Sequence, residues 1–161
     1  MGKVEITNMI MVEDKQNGKV VVLERKKYWC GNTFPGGHVE DGESIYESAV
    51  REAKEETGLD VSNLKACGVM HWFNRDTGDR YFCHFYRTSD FTGTLKAETD
   101  EGKVFWATLE ELMRLPMPNN FREYLPIILG DSYTEGFCAW DEQSKKNWDY
   151  SKDNPAGIVY H

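Results

Sequence analysis

Apolar and polar positions along this chain fall into short periodic stretches that divide it into strands and helices. Val4 to Val12 (VEITNMIMV) and Lys19 to Glu24 (KVVVLE) read as two strands. The polar run Asp14 to Gly18 between them supplies turn residues, so the pair reads as a hairpin. Tyr28 to Gly37 reads as a loop of aromatics, Gly and Pro. Ser44 to Thr57 has a helical period, with Ser44 and Glu47 spaced as a capping box and Gly58 placed for a left-handed C-terminal cap. Leu64 to Phe73 and Arg80 to Arg87 read as strands around the turn Asn74 to Asp79, and Lys103 to Ala107 as a further short strand. Leu109 to Leu115 reads as a short helix ended by Pro116 and Pro118, and Phe121 to Leu129 as the last major helix, kinked or split at Pro126. In the tail, Trp140-Asp141 and Trp148-Asp149-Tyr150 read as hairpin strands around the polar run Glu142 to Asn147, closing one side of a pocket or mediating dimerisation. Interspersed strands and helices rich in hairpins predict an α/β fold, a mixed sheet packed by helices.

The helix over Ser44 to Thr57 carries the first chemical signal. At about 100° per residue, Ile45, Tyr46, Ala49, Val50 and Ala53 share an apolar arc. Glu52, Glu55 and Glu56, at i, i+3 and i+4, form an acidic arc that overlaps its edge. Glu47 and Glu55 each lie four residues from Arg51, which leaves Glu52 and Glu56 to repel each other without an evident partner. One reading is a solvated charged face. The other is a site for a hard divalent cation, which takes oxygen donors and keeps positions open for substrate phosphates.

Composition narrows the field. The 161 residues are 40% hydrophobic, 29% charged and 13% aromatic, which fits one domain with a real core. A net charge of -8 argues against duplex nucleic acid as a partner, since that needs a basic surface. It leaves room for a small anion held by a local cluster or a metal. Cys30, Cys67, Cys83 and Cys138 follow no metal-ligand spacing and read as free thiols of a reducing compartment. No signal-peptide pattern opens the chain and no apolar run spans a bilayer, so a cytoplasmic protein without a membrane partner is expected.

Gly37, five residues, Glu43, seven residues, then Arg51-Glu52-Ala53-Lys54-Glu55-Glu56-Thr57-Gly58-Leu59 resembles the Nudix box: Gly, x5, Glu, x7, then R-E-U-x-E-E-x-G-U with U a bulky aliphatic. Ala53 at the first U position is the one departure. The resemblance implies a Nudix fold, an α/β/α sandwich around a mixed sheet, over a single domain of residues 1–161. The fold's core covers about the first 130 residues, and an aromatic extension follows. It implies hydrolysis of a nucleoside triphosphate to monophosphate and pyrophosphate, with an 8-oxo-dGTP-type oxidised purine nucleotide as the leading choice in the MutT-like branch. Mg²⁺, replaceable by Mn²⁺, would be held by Glu52, Glu55 and Glu56 at a metal site that includes Gly37. Arg51 and Glu43 would brace the loop and helix, with Gly37 and Gly58 as structural glycines of the box. Glu101, or Glu98 beside it, would add a carboxylate. Substrate would meet Arg25 and His38 at the phosphates, and Arg80 and Asn119 at the base. Phe34, Trp72 and Phe73 would offer a stacking surface. Asn119 or Asn120 as a mere helix cap is the competing reading of the PMPNN segment. The expected assembly is a monomer or homodimer. The rival readings are hydrolysis of ADP-ribose, a dinucleoside polyphosphate or a capped RNA 5′ end, and a nucleotide sensor without catalysis.

Overall fold

The computed structural model describes all of residues 1–161. In chain order its elements are β1 (Val4–Asp14), β2 (Lys19–Arg25), β3 (Gly31–Thr33), β4 (Gly36–His38), α1 (Ile45–Thr57), β5 (Asp60–Ser62), β6 (Lys65–Asn74), β7 (Arg80–Thr88) and β8 (Asp90–Thr92). They continue with β9 (Glu98–Thr99), β10 (Gly102–Ala107), α2 (Leu109–Arg114), a 3-10 turn (Arg122–Tyr124), α3 (Leu125–Leu129), β11 (Glu135–Trp140), α4 (Glu142–Lys145) and β12 (Val159–Tyr160).

β1 organises the molecule. It pairs with β2 only beside their turn, through Glu13↔Val20 and Asp14↔Lys19. The two strands then part. β1 runs parallel to β7 and antiparallel to β4, while β2 pairs with β10 and β3. The main strand order is β12-β11-β6-β7-β1-β2-β10-β9, a mixed sheet. Both faces of β1 are buried, which is why its sequence reads as a nearly unbroken apolar run. Met9 and Met11 join a core with Phe34, Phe85, Phe121 and Ile127, under α2 and α3. Ile10 and Val12 join a second core with Val21, Leu23, Ala53 and Leu59, under α1. Helices therefore cover both faces of the sheet, as the α/β/α expectation requires.

α1 forms where its caps place it. Ser44 accepts the Glu47 backbone N–H, Glu47 accepts the Ser44 N–H, and Gly58 closes the helix at φ 82° with its N–H on the Lys54 carbonyl. The helix expected over Phe121 to Leu129 is split into the 3-10 turn and α3. Pro126 stands at the start of α3, where its missing N–H is not needed. The loop expected over Tyr28 to Gly37 contains β3 and β4.

The tail corrects one expectation outright. Trp140 ends β11, which pairs in parallel with β6 and antiparallel with β12, not with Trp148-Asp149-Tyr150. The polar run between them is the helix α4, capped by Asp141. Asp and Ser at a helix start satisfy its free N–H groups better than they serve a hairpin loop. All four cysteines are free thiols, and no helix is long and apolar enough to cross a membrane.

Candidate active site

The Gly36–Gly37 segment and α1 meet through one arginine. Arg51 donates from Nε to Glu43 Oε2 at 3.0 Å and from Nη2 to Glu43 Oε1 at 2.7 Å, a two-pronged bond that draws the loop onto the helix. The same guanidinium donates to the His38 carbonyl at 3.0 Å, to Glu52 Oε1 at 2.9 Å and to Glu55 Oε2 at 3.1 Å. Arg51 holds the Glu43 carboxyl down at about 2. Glu47 is occupied by the capping box instead. Glu52 thus has the partner that helical spacing alone did not suggest.

The three carboxylates of the acidic arc differ in burial. Glu56 is buried, Glu52 is 13% exposed at its side chain and Glu55 is 58% exposed. Glu56 Oε2 accepts the Gly36 N–H at 2.9 Å, while its Oε1 lies 3.9 Å from Arg25 Nη1. Burial pushes the Glu56 carboxyl up to about 8, against the pull of the Gly36 N–H and Arg25. Burial also raises Glu52, against Arg51. Gly37 packs directly against the Glu52 carboxylate, so a Cβ there would push that side chain aside. Gly37→Ala is therefore expected to displace Glu52 and cut turnover by about 10-fold or more, a loss read as a fall in kcat at saturating substrate.

These side chains open into a cleft of about 380 Å³ without a single hydrophobic lining residue. Glu52, Glu55 and Glu56 face Glu98, Asp100 and Glu101 across it, with Lys96 as the one cation. Glu101 Oε2 stands 3.9 Å from Arg25 Nη2, so Glu56 and Glu101 share that arginine, while Glu98 is 3.6 Å from Lys26. No three of these groups converge on one point closely enough to form a finished cage. The donor set still fits a hard divalent cation: it is all oxygen, strongly anionic, and includes two carboxyls whose burial is only partly compensated.

Arg25 lines a second cavity, of about 690 Å³, and its guanidinium reaches Glu56 and Glu101 of the acidic cleft, so it stands between the two. Gly36, Gly37 and His38 form part of its wall. His38 is largely exposed and 3.8 Å from Glu5. Asn119 and Asn120 both line the cavity. Neither caps a helix, since the 3-10 turn begins without a side-chain cap. Asn119 is exposed, and its carbonyl accepts the Trp29 indole N–H at 2.8 Å. Asn120, at φ 69°, has a buried Nδ2 without a partner, and Asn8 has a buried Oδ1 without one. An unpaired buried donor or acceptor costs about 1–3 kcal/mol, and both amides sit beside the cavity with an open hydrogen-bonding position. Sequence reasoning passed over Asn8, whose strand pattern carries no sign of an amide facing a cavity.

Two expected substrate contacts lie off the cavity. Phe34 is wholly buried and packs edge-on against Phe121 at 5.4 Å, so it belongs to the core. Phe73 points to the opposite sheet face from Trp72, as strand alternation demands, and only Trp72 lines the cavity. Arg80 lines the cavity, with its guanidinium over Phe73 at 4.6 Å and bonded to His71 at 2.9 Å.

Comparison with known proteins bears on this arrangement. The family described as NUDIX domain matches residues 5–127. The chain is 32% identical over 118 residues to the uncharacterized Nudix hydrolase YvcI of Bacillus subtilis, covering 70% of each chain. It is 32% identical over 103 residues to an ADP-ribose pyrophosphatase of Methanocaldococcus jannaschii, covering 63% of this chain and 61% of the relative. Among solved structures, a MutT protein from Bacillus halodurans superimposes with a TM-score of 0.70 at 23% identity, covering 86% of this chain and 92% of the other, a likeness of fold.

Proposed function

From the premise that this chain belongs to the Nudix family of hydrolases, we propose that it cleaves a nucleoside triphosphate to the monophosphate and pyrophosphate, with oxidised purine nucleotides such as 8-oxo-dGTP preferred. One observation carries the reading: an all-polar acidic cleft and an aromatic cavity with unpaired amides adjoin at Arg25. A triphosphate tail and a planar base need those two environments side by side.

Glu52, Glu55 and Glu56 are assigned to Mg²⁺, with Mn²⁺ as a substitute, and Glu101 adds a carboxylate across the cleft. When bound, the divalent ion supplies charge neutralisation for the phosphoanhydride. Arg25 binds phosphate where its guanidinium spans Glu56 and Glu101. Glu56, whose burial raises its carboxyl in the metal-free chain, ionises when it holds the ion, and the carboxylates of this set also orient or deprotonate the attacking water. Arg51 and Glu43 position Glu52 and Glu55 and do not touch substrate. At the base, an amide offers a donor and an acceptor on one plane, which reads a purine edge. Asn120 joins Asn119 in that role.

The test is Mg²⁺-dependent hydrolysis of 8-oxo-dGTP, dGTP, other nucleoside triphosphates, ADP-ribose and a diadenosine polyphosphate, with products separated by chromatography. Asn120→Ala is expected to raise KM for the preferred purine about 10-fold, with a smaller change in kcat. Failure to cleave any purine triphosphate in Mg²⁺ would discard the reading. Hydrolysis of ADP-ribose is the second reading. The Methanocaldococcus jannaschii relative favours it, as does a cavity whose aromatic lining continues past the amides to Trp140 and Trp148.

A further inference from the structure

Residues 128–161 lie outside the span matched to the family, yet this segment builds one wall of the large cavity. Trp140, Lys145, Trp148 and Tyr150 line it together with Arg25 and Asn120. The wall is tied down at several points. β11 pairs with β6 so that Cys138 lies opposite Trp72. Arg75 Nη1 donates to Asp141 at 3.2 Å, and the Glu142 N–H donates to Asp76 Oδ2 at 2.9 Å, which fastens α4 to the turn between β6 and β7. The Trp148 N–H then closes α4 on the Lys145 carbonyl at 3.1 Å.

The aromatic rings continue across the cavity without a break. Trp29 lies 6.0 Å from Tyr124, whose hydroxyl accepts the Trp72 indole N–H at 3.0 Å. Trp72 lies 5.9 Å from Trp148, which is 6.2 Å from Trp140. Several of these rings have other partners. Trp29 donates to Asn119 and Trp72 donates to Tyr124, while Trp140 carries the Lys145 ammonium over its ring at 4.9 Å. Trp148 is half-buried, held by Trp72, Trp140 and Tyr150 (6.4 Å, edge-on) around its ring, and its indole N–H makes no bond within the chain. Such a ring is a stacking platform held in place before ligand arrives, and base stacking on aromatics tolerates any base.

We propose that Trp148 stacks on the base of the bound nucleotide, which makes the C-terminal segment part of the substrate site and Trp148 a residue that sets affinity for the nucleoside moiety whatever its base. The proposal rests on the nucleotide reading above, but its test does not require turnover.

Calorimetric titration of the full chain in Mg²⁺ with 8-oxo-dGMP, dGMP, AMP and inorganic pyrophosphate separates base from phosphate. Trp148→Ala is expected to weaken the nucleoside monophosphates by about 5- to 150-fold, while pyrophosphate affinity stays the same. Trp148→Phe keeps a ring in place and is expected to recover most of the affinity. In turnover, the change falls on KM. Equal affinity of wild type and Trp148→Ala for the monophosphates overturns the proposal, as does a matched loss for pyrophosphate or a wild type that binds no nucleotide. If the monophosphates bind as expected but no triphosphate is cleaved, the catalytic reading fails while Trp148 keeps its role.

Discussion

Glu56→Gln is expected to lower turnover by about 10²- to 10⁴-fold while making the metal-free protein more stable at pH 8. The two effects have one cause. Glu56 is buried, and its only close partners are the Gly36 N–H at 2.9 Å and Arg25 at 3.9 Å. Burial lifts its carboxyl from an ordinary 4.5 to about 8. In the unfolded chain the group ionises near 4.5, so between that pH and 8 the folded state binds more protons. Stability is then fully present below the ordinary value and declines as pH rises towards 8. A displacement of that size corresponds to at most about 5 kcal/mol. Glu52, also raised by burial, contributes in the same direction.

Thermal unfolding with a chelator should therefore show Tm falling from pH 5 to 8 in the wild type, with a shallower slope in Glu56→Gln. Adding Mg²⁺ at pH 8 should raise Tm in the wild type more than in the variant, because a cation compensates the buried charge. A wild-type Tm that is flat across this range, or that rises, would sink the assignment of Glu56 as an uncompensated buried carboxylate.

Arg51→Leu is expected to produce the second large effect, on structure and activity together. The guanidinium joins the His38 carbonyl, Glu43, Glu52 and Glu55. Its removal leaves three carboxylates and the loop carbonyl without their shared donor. Tm should fall on the order of 5 °C at neutral pH, and turnover about 10- to 100-fold as Glu52 and the Gly36–Gly37 segment lose their fixed geometry. Arg51→Lys should recover little, since an ammonium lacks the planar fork that grips both Glu43 oxygens. The Glu43 carboxyl, held at about 2, gives this interaction its own pH signature. The stabilisation is present above the ordinary carboxylate value of 4.5 and is lost as pH falls towards 2, the opposite slope to that of Glu56. An Arg51→Lys enzyme with wild-type Tm and turnover would show that charge alone suffices there.

Local rules made most of the elements legible. The capping pair Ser44 and Glu47 and the left-handed Gly58 marked both ends of α1, because each satisfies backbone groups within a few residues of itself. The period of β1 and β2 was equally plain, and so was the spacing of Glu52, Glu55 and Glu56 on one helical arc. The tail was not legible. Asp141 reads equally well as a turn residue or a helix cap, and only the strand β11 docking on β6 decides between them.

The side chains divide along the same line. Sequence by itself determined the α/β class, the acidic helix and the resemblance that places this chain among Nudix hydrolases, since all three follow from periods and spacings along a continuous chain. Tertiary structure alone decided which carboxylate is buried, that Arg51 reaches Glu52, and that Phe34 belongs to the core. It alone brought Asn8, Asn120 and Trp148, from β1, the loop after α2 and the tail, around one cavity. Burial and ligand contact depend on atoms far apart in the sequence, and no local pattern encodes the distance between them.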